Sequence, residues 1–203
     1  VKKHFQSKNL VDATKKLRST FKETYVDKLL YADFYSLPKF GKTKLGQLVL
    51  YAKQSQNREL VNQISTLVNP LIQKVVQEFS IESVVFIPPT VPRTLQFMDE
   101  LEAALNLKLP SIELVKVATG EVVVAQKTLA RLEERIINAR DTIFMKGNKV
   151  SYHNILLIDD AAGSGSTFNE TAKKLKSTII GKGTIIAFAI VGSLKGFDVI
   201  REV

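Results

Sequence analysis

The sequence contains no cysteine, and its 203 residues include only two histidines, His4 and His153. Without cysteine there is no disulfide framework, no cysteine-bound zinc and no thiol nucleophile. With only two imidazoles, histidine-based metal or triad chemistry is not expected. No apolar run approaches the roughly 18 residues of a membrane span, so no membrane contact is expected. The basic start, Val-Lys-Lys-His, lacks the apolar stretch of a secretory signal. A soluble, cytoplasmic protein is the simplest expectation. There is no Gly-x-x-x-x-Gly-Lys-Ser/Thr, so a P-loop is absent. Internal repeats and low-complexity segments are missing too.

Positive charge is present but unevenly placed. Residues 1–60 hold 13 Lys/Arg against 5 Asp/Glu, whereas residues 61–203 hold 16 against 15. Almost all of the net charge of +9 therefore lies in the first third. Such an excess is either an anion-facing surface, for nucleic acid or phosphorylated ligands, or a solvated basic helix. Tyr31, Phe34, Tyr35 and Phe40 lie near Lys39, Lys42 and Lys44. They either stack on single-stranded bases or form strand core with the lysines outside.

Leu10, Leu17, Phe21, Tyr25 and Leu29 recur at three- to four-residue multiples, which predicts one amphipathic helix over Asn9–Leu30. A short strand is expected over Tyr31–Leu37 and a helix over Leu45–Lys53. Helical spacing returns over Glu59–Phe79, with a break expected at Asn69-Pro70. The character then changes. Apolar runs at Val84–Ile87, Ile112–Val117, Ile155–Ile158 and Thr184–Val191 alternate with helical stretches at Thr94–Leu105, Leu129–Ala139 and Thr167–Lys176. Strands that are apolar at successive positions and separated by helices indicate an α/β fold, a twisted parallel sheet with helices on both faces. Residues 81–203 form that core in this reading. Residues 1–80 are a basic N-terminal helical extension, or hood, of the same domain.

The chemistry concentrates in Ile155–Thr167, Ile-Leu-Leu-Ile-Asp-Asp-Ala-Ala-Gly-Ser-Gly-Ser-Thr. A buried strand runs into Asp159 and Asp160, and small residues then lead to a helix. Gly163 and Gly165 permit close backbone approach, and N–H groups at a helix start favour a phosphate. Ser164, Ser166 and Thr167 add hydroxyl donors. Small-residue turns also serve as plain strand-to-helix connections. Two adjacent carboxylates after four apolar residues, however, repel each other and serve no core purpose. They would repel a phosphate in the cradle itself, but they suit sugar hydroxyls one ribose away. The segment reads as a ribose 5-phosphate site. Replacing Gly165 with valine is expected to remove ligand binding and keep the fold.

This 13-residue segment resembles the phosphoribosyl pyrophosphate (PRPP) signature of type I phosphoribosyltransferases. Gln126, Leu129, Glu134-Arg135, Asn138 and Phe144 are similar to the pattern of the ComF-like, competence-associated branch, as are Tyr35, Lys39 and the helix Leu45–Lys53. The chain departs from that branch at Arg93-Thr94-Leu95-Gln96-Phe97, where Arg-Gly-Phe-Asn-Gln is usual, and in lacking the branch's zinc-ribbon cysteines. The resemblance implies transfer of 5-phosphoribosyl from PRPP to a nitrogen acceptor, a nucleobase for instance, with pyrophosphate released. It assigns Asp159 and Asp160 to catalysis. Ala162, Gly163, Ser164, Gly165, Ser166 and Thr167 would hold the 5-phosphate. Thr90, Val91, Arg93 and Lys116 would face pyrophosphate. Ala118, Thr119, Gly120 and Gln126 would belong to a mobile loop. The Mg²⁺ cofactor would be bound mainly through the ligand, with no direct protein ligand. Base selectivity would come from the hood and from Ser193–Asp198. Arg93 is either a pyrophosphate ligand or a solvated arginine, and Lys116 is equally open. Gln126, Arg135 and Asn138 either touch ligand or hold a loop. A homodimer is the expected assembly. The alternative is a PRPP- or nucleotide-sensing regulator, or a DNA-uptake accessory protein, contacting nucleic acid through residues 1–60. A nucleotide-binding protein without PRPP specificity is a third, weaker reading.

Overall fold

The computed structural model describes residues 5–7, 10–89, 93–116, 131–146, 152–177 and 183–194. The chain begins with β1 (Phe5–Ser7), β2 (Leu10–Asp12), α1 (Thr14–Thr20) and β3 (Lys28–Phe34). A small hairpin, β4 (Ser36–Leu37) and β5 (Gly41–Lys42), precedes α2 (Lys44–Ser55) and α3 (Arg58–Glu78). Then come β6 (Ser83–Phe86), α4 (Phe97–Leu105), β7 (Leu114–Lys116), α5 (Leu132–Thr142) and β8 (Ile143–Met145). The last described elements are β9 (Asn154–Ala162), α6 (Ser166–Leu175) and β10 (Thr184–Gly192).

Among the described residues, six strands form one sheet in the order β1-β2-β3-β10-β9-β6. β3, β10, β9 and β6 run parallel, and β1 and β2 add an antiparallel edge. The central strands are apolar on both faces because both faces are covered. Leu156, Ile158, Ile186 and Phe188 pack with α2, α3 and α4. Their alternating neighbours Ile155, Leu157, Ile185 and Ala187 pack with α1 and α6, and Leu132 and Ile136 of α5 lie against the same cluster. This is the expected α/β architecture. Among the described residues, no helix is long and apolar enough to cross a membrane.

Three local expectations are corrected. Asn9–Leu30 is not one helix but strand, helix and strand. Leu17, Phe21 and Leu29 share one apolar cluster, with Tyr25 against it, but they reach it from α1, the end of α1 and β3, and Leu10 on β2 packs into the cluster on the other face of the sheet. Pairing from Lys28↔Ile186 to Phe34↔Gly192 outweighs the helical period, because a central parallel strand buries both faces at once. α3 runs through Asn69-Pro70 without a break. Its buried stripe Val61, Ile64, Val68, Ile72 and Val75 continues across the proline, whose ring is on the exposed side. Burial of that stripe offsets the roughly 3 kcal/mol cost of an interior proline. The third correction concerns Ile112–Val117. Ser111 bridges Val84 and Ile112 N–H donates to the Val84 carbonyl (2.9 Å), but β7 then pairs antiparallel with β8 instead of extending the parallel sheet. β6 is followed by Pro88-Pro89, which have no N–H to continue a ladder.

Gly192 ends β10 against the ring of Tyr31, which is fully buried. A Cβ at residue 192 would lie 2.0 Å from the ring. Gly192→Ala is therefore expected to cost about 1–3 kcal/mol, read as a melting temperature lower by about 2–10 °C.

Candidate functional site

All four parallel strands deliver their carboxyl ends to one edge, where parallel sheets carry their ligand crevices. β9 brings Asp159 and Asp160 there. The strand extends through both acids to Ala162, four residues beyond the apolar run at its heart. Its neighbour β10 pairs with it at Ala189↔Asp159 and Val191↔Ala161, so the acids sit on a rigid ladder and not on a loop.

The two carboxylates have different surroundings. The Asp160 carboxylate accepts a hydrogen bond from the Lys53 ammonium at 2.7 Å, with the two side chains 15% and 16% exposed. Asp159 Oδ1 instead accepts the Asp160 backbone N–H (2.8 Å). Burial pushes the Asp159 carboxyl well above its ordinary range, and the Asp160 charge beside it pushes the same way. Lys53, the backbone N–H and Lys116 oppose that rise without cancelling it. Lys116, on β7, is half-buried; burial lowers its ammonium and the Asp159 charge partly restores it.

Lys53 is a site residue that sequence reasoning did not select. Its ammonium takes Asp160 and lies 5.8 Å from the centre of the Phe97 ring. Its backbone carbonyl accepts from Arg93 Nη1. Leu95 N–H donates to Gln56 Oε1 (3.0 Å), so the Arg93–Leu95 segment is clipped to the end of α2. A signal for Lys53 existed. Gly46, Val49 and Leu50 are buried on α2, and Lys53 continues their spacing of three, four and seven residues. A lysine on an apolar stripe needs an acceptor at its tip.

After β9 the chain turns through Gly163, Ser164 and Gly165 into α6. The positive φ of the turn, 86°, falls at Gly165, the residue that caps α6. A Cβ there would meet Leu17 Cδ1 at 2.6 Å. Gly165 therefore faces the core through α1, so the expectation that valine there leaves the fold intact is corrected. Ser164 Oγ donates to Ser166 Oγ (3.1 Å) and accepts the Ser166 N–H (3.3 Å). Both serines are buried, while Gly163 and Thr167 are half-buried. α6 is held from the other side by Asn169, whose Nδ2 donates to the Glu23 carbonyl and whose Oδ1 accepts from Tyr25 N–H.

The structure thus brings together Asp159, Asp160, the Ala162–Thr167 turn, Lys116 and, through Lys53, Arg93. Thr90, Val91, Ala118, Thr119, Gly120 and Gln126 lie outside the described residues. Arg135 is buried on α5, and Asn138 receives the Thr142 hydroxyl on its carbonyl (2.5 Å). Among the described residues, no three Asp, Glu or His side chains gather closely enough to hold a metal ion.

No family model matches the chain, and no curated protein matches it. Among solved structures it is similar to a hypoxanthine phosphoribosyltransferase from Staphylococcus aureus, at 12% identity and a TM-score of 0.37, over 67% of this chain and 74% of that one. It is also similar to a hypoxanthine-guanine phosphoribosyltransferase from Bacillus anthracis, at 12% identity and a TM-score of 0.34, over 65% of each chain.

Proposed function

We propose that the protein binds PRPP and transfers its 5-phosphoribosyl group to a nitrogen acceptor, releasing pyrophosphate. The observation that carries this reading is the adjacent acid pair, Asp159 and Asp160, on the carboxyl end of a central parallel strand, directly before the glycine turn and α6. The turn suits a phosphate, because N–H groups and the positive end of a helix converge there. The acids suit the hydroxyls of a sugar attached to that phosphate. Lys116, Arg93 and Lys53 supply positive charge for a second, more anionic portion of the ligand.

In the reaction the anomeric carbon–oxygen bond breaks and pyrophosphate leaves with the electron pair. The acceptor nitrogen's lone pair forms the new carbon–nitrogen bond, and its proton passes to solvent. Positive charge builds on the ribose and negative charge on the leaving group, so catalysis is positioning and electrostatic stabilisation. Asp159 and Asp160 hold the ribose hydroxyls and favour the developing cation. Ala162–Thr167 hold the 5-phosphate. Thr90, Val91, Arg93 and Lys116 face pyrophosphate. Residues Ala118–Gln126 close over the site against water. Mg²⁺ would be held mainly through the ligand rather than by a protein side chain, and would screen the pyrophosphate charge. The ComF-like branch, the cytoplasm and a homodimer belong to the same proposal.

Thermal-shift titration tests it. At a hundredfold excess over its dissociation constant, PRPP with Mg²⁺ adds about 2.7 kcal/mol, a rise of about 5–10 °C. Pyrophosphate release with one member of a nucleobase panel then identifies the acceptor. No shift with PRPP or ribose 5-phosphate overturns the reading, and a shift without turnover favours the regulator.

A specific observation supports that second reading. Of the four aromatics near Lys39, Lys42 and Lys44, Tyr31, Phe34 and Tyr35 are buried, but Phe40 is 83% exposed at the tip of the β4–β5 hairpin. Lys39, Lys42 and Lys44 around it are exposed too. If this tip stacks on single-stranded nucleic acid, Phe40→Ala should weaken oligonucleotide binding about fivefold to a hundredfold. That binding should also fall steeply with salt. No binding by the wild type at low salt leaves the hairpin a solvated turn.

A further inference from the structure

Lys16 carries an interaction that the proposed reaction does not use. It lies on α1, in the basic first third of the chain, yet its ammonium reaches the turn after β9. There it donates to the Gly163 carbonyl (2.8 Å), the Ser193 carbonyl (2.8 Å) and Ser193 Oγ (2.8 Å), and it lies 3.2 Å from the Tyr31 hydroxyl. Ser193 Oγ in turn donates to the Gly163 carbonyl (3.1 Å). Ser193 N–H donates to the Ala162 carbonyl (2.9 Å). One lysine therefore ties α1, the end of β9 and the residue after β10 into a single hydrogen-bonded knot.

Its surroundings are rigid. Tyr31 is fully buried, its ring fills the space over Gly192, and burial raises its hydroxyl pKa so that it stays a neutral phenol. Ser193 is buried. The acceptors that meet the ammonium here are two carbonyls, a hydroxyl and a phenol.

The geometry points to Lys16 as a positioning residue for the 5-phosphate turn, an inference that rests on the phosphoribosyl reading above. A trans peptide sends its C=O and the following N–H in opposite directions, and no described peptide bond is cis. With the Gly163 carbonyl held on Lys16, the Ser164 N–H is directed to the other side of the turn. A flip of that peptide would replace a donor with a carbonyl oxygen, which repels an anion. By holding that carbonyl, Lys16 opposes the flip. The N-terminal segment is thereby part of the ligand site, and part of the charge excess in residues 1–60 has a use inside the fold.

The test is differential. Ribose 5-phosphate and inorganic pyrophosphate are titrated separately into the wild type, Lys16→Met, Lys16→Arg and Ser193→Ala. Lys16→Met is expected to lose about tenfold or more in ribose 5-phosphate affinity, with pyrophosphate affinity unchanged. Lys16→Arg should recover most of the loss. Ser193→Ala, which keeps the lysine and removes one of its acceptors, should lose less than Lys16→Met and covers the case in which the methionine variant does not fold. Equal losses for both ligands mean a general structural role and overturn the inference. So does unchanged ribose 5-phosphate binding by Lys16→Met, or by Ser193→Ala if the methionine variant cannot be made; either result leaves the phosphoribosyl reading standing. A wild type that binds neither ligand overturns both.

Discussion

Asp159→Asn and Asp160→Asn are each expected to lose about tenfold to a hundredfold in PRPP affinity or turnover, because a hydrogen bond to a charged group contributes about 1.5–3 kcal/mol. A variant whose turnover falls further than its PRPP affinity marks the carboxylate that stabilises the ribosyl cation. The two variants should differ in stability. Burial and the neighbouring Asp160 charge raise the Asp159 carboxyl in the fold, so the folded chain holds that proton more tightly than the unfolded chain does. Its contribution to stability is fully present below the ordinary value of 3.8 and is lost as pH rises through the elevated folded value. Asp159→Asn should therefore be as stable as the wild type or more so at neutral pH, and the difference should close toward acid. Asp160→Asn weakens the ion pair with Lys53, whose side chain is only 15% exposed, and should cost about 1–3 kcal/mol. Urea denaturation across pH, run beside PRPP binding, measures both. Destabilised variants that bind PRPP normally would make the acids structural and end the phosphoribosyltransferase reading.

Gly165→Val should be the most damaging single substitution in the turn. The residue holds φ at 86°, and its Cβ would lie 2.6 Å from Leu17 Cδ1. The left-handed backbone costs roughly 1–2 kcal/mol for a residue with a Cβ, and the crowding adds roughly 1–3 kcal/mol. A total of about 2–5 kcal/mol is a large share of a stability of about 5–15 kcal/mol. The expected result is a soluble yield and a denaturation midpoint both well below wild type, with Gly165→Ala intermediate. A valine variant of wild-type stability would show that α1 and the turn do not pack as described. Because fold and site would fail together, Gly165 is a poor probe of the ligand. Thr167, half-buried on the first turn of α6, is the better one.

Much of the fold is legible in the sequence. Val84–Ile87, Ile155–Ile158 and Thr184–Val191 are runs of successive apolar residues, and a strand buried on both faces needs that composition wherever its partners lie. The caps of α2 and α3, Thr43 and Asn57, which accept backbone N–H groups in the first turns, are identified only in the structure. The acid pair and the glycine turn are contiguous, so the centre of the candidate site is readable in 13 residues. Local periodicity failed where a distant strand decided the outcome. Lys28–Phe34 has helical spacing upstream but becomes a strand because β10 offers a parallel edge far along the chain. Leu114–Lys116 leaves the main sheet because β6 runs out at two prolines and β8 lies open beside it.

The sequence by itself determined the composition of the core, the acid pair, the glycine turn and the concentration of positive charge in the first third. Only the tertiary structure decided which of those charges belong to the site. Lys53 meets Asp160 from 107 residues away, and Lys16 meets Gly163 from 147 residues away. Lys53 continues the buried stripe of α2, which marks it as inward-leaning but names no partner, whereas α1 buries only Thr14 and Leu17 and gives Lys16 no such mark. A side chain's periodicity is set by the few residues around it. Its acceptor is set by how the helices close over the sheet, which depends on burial summed along the whole chain.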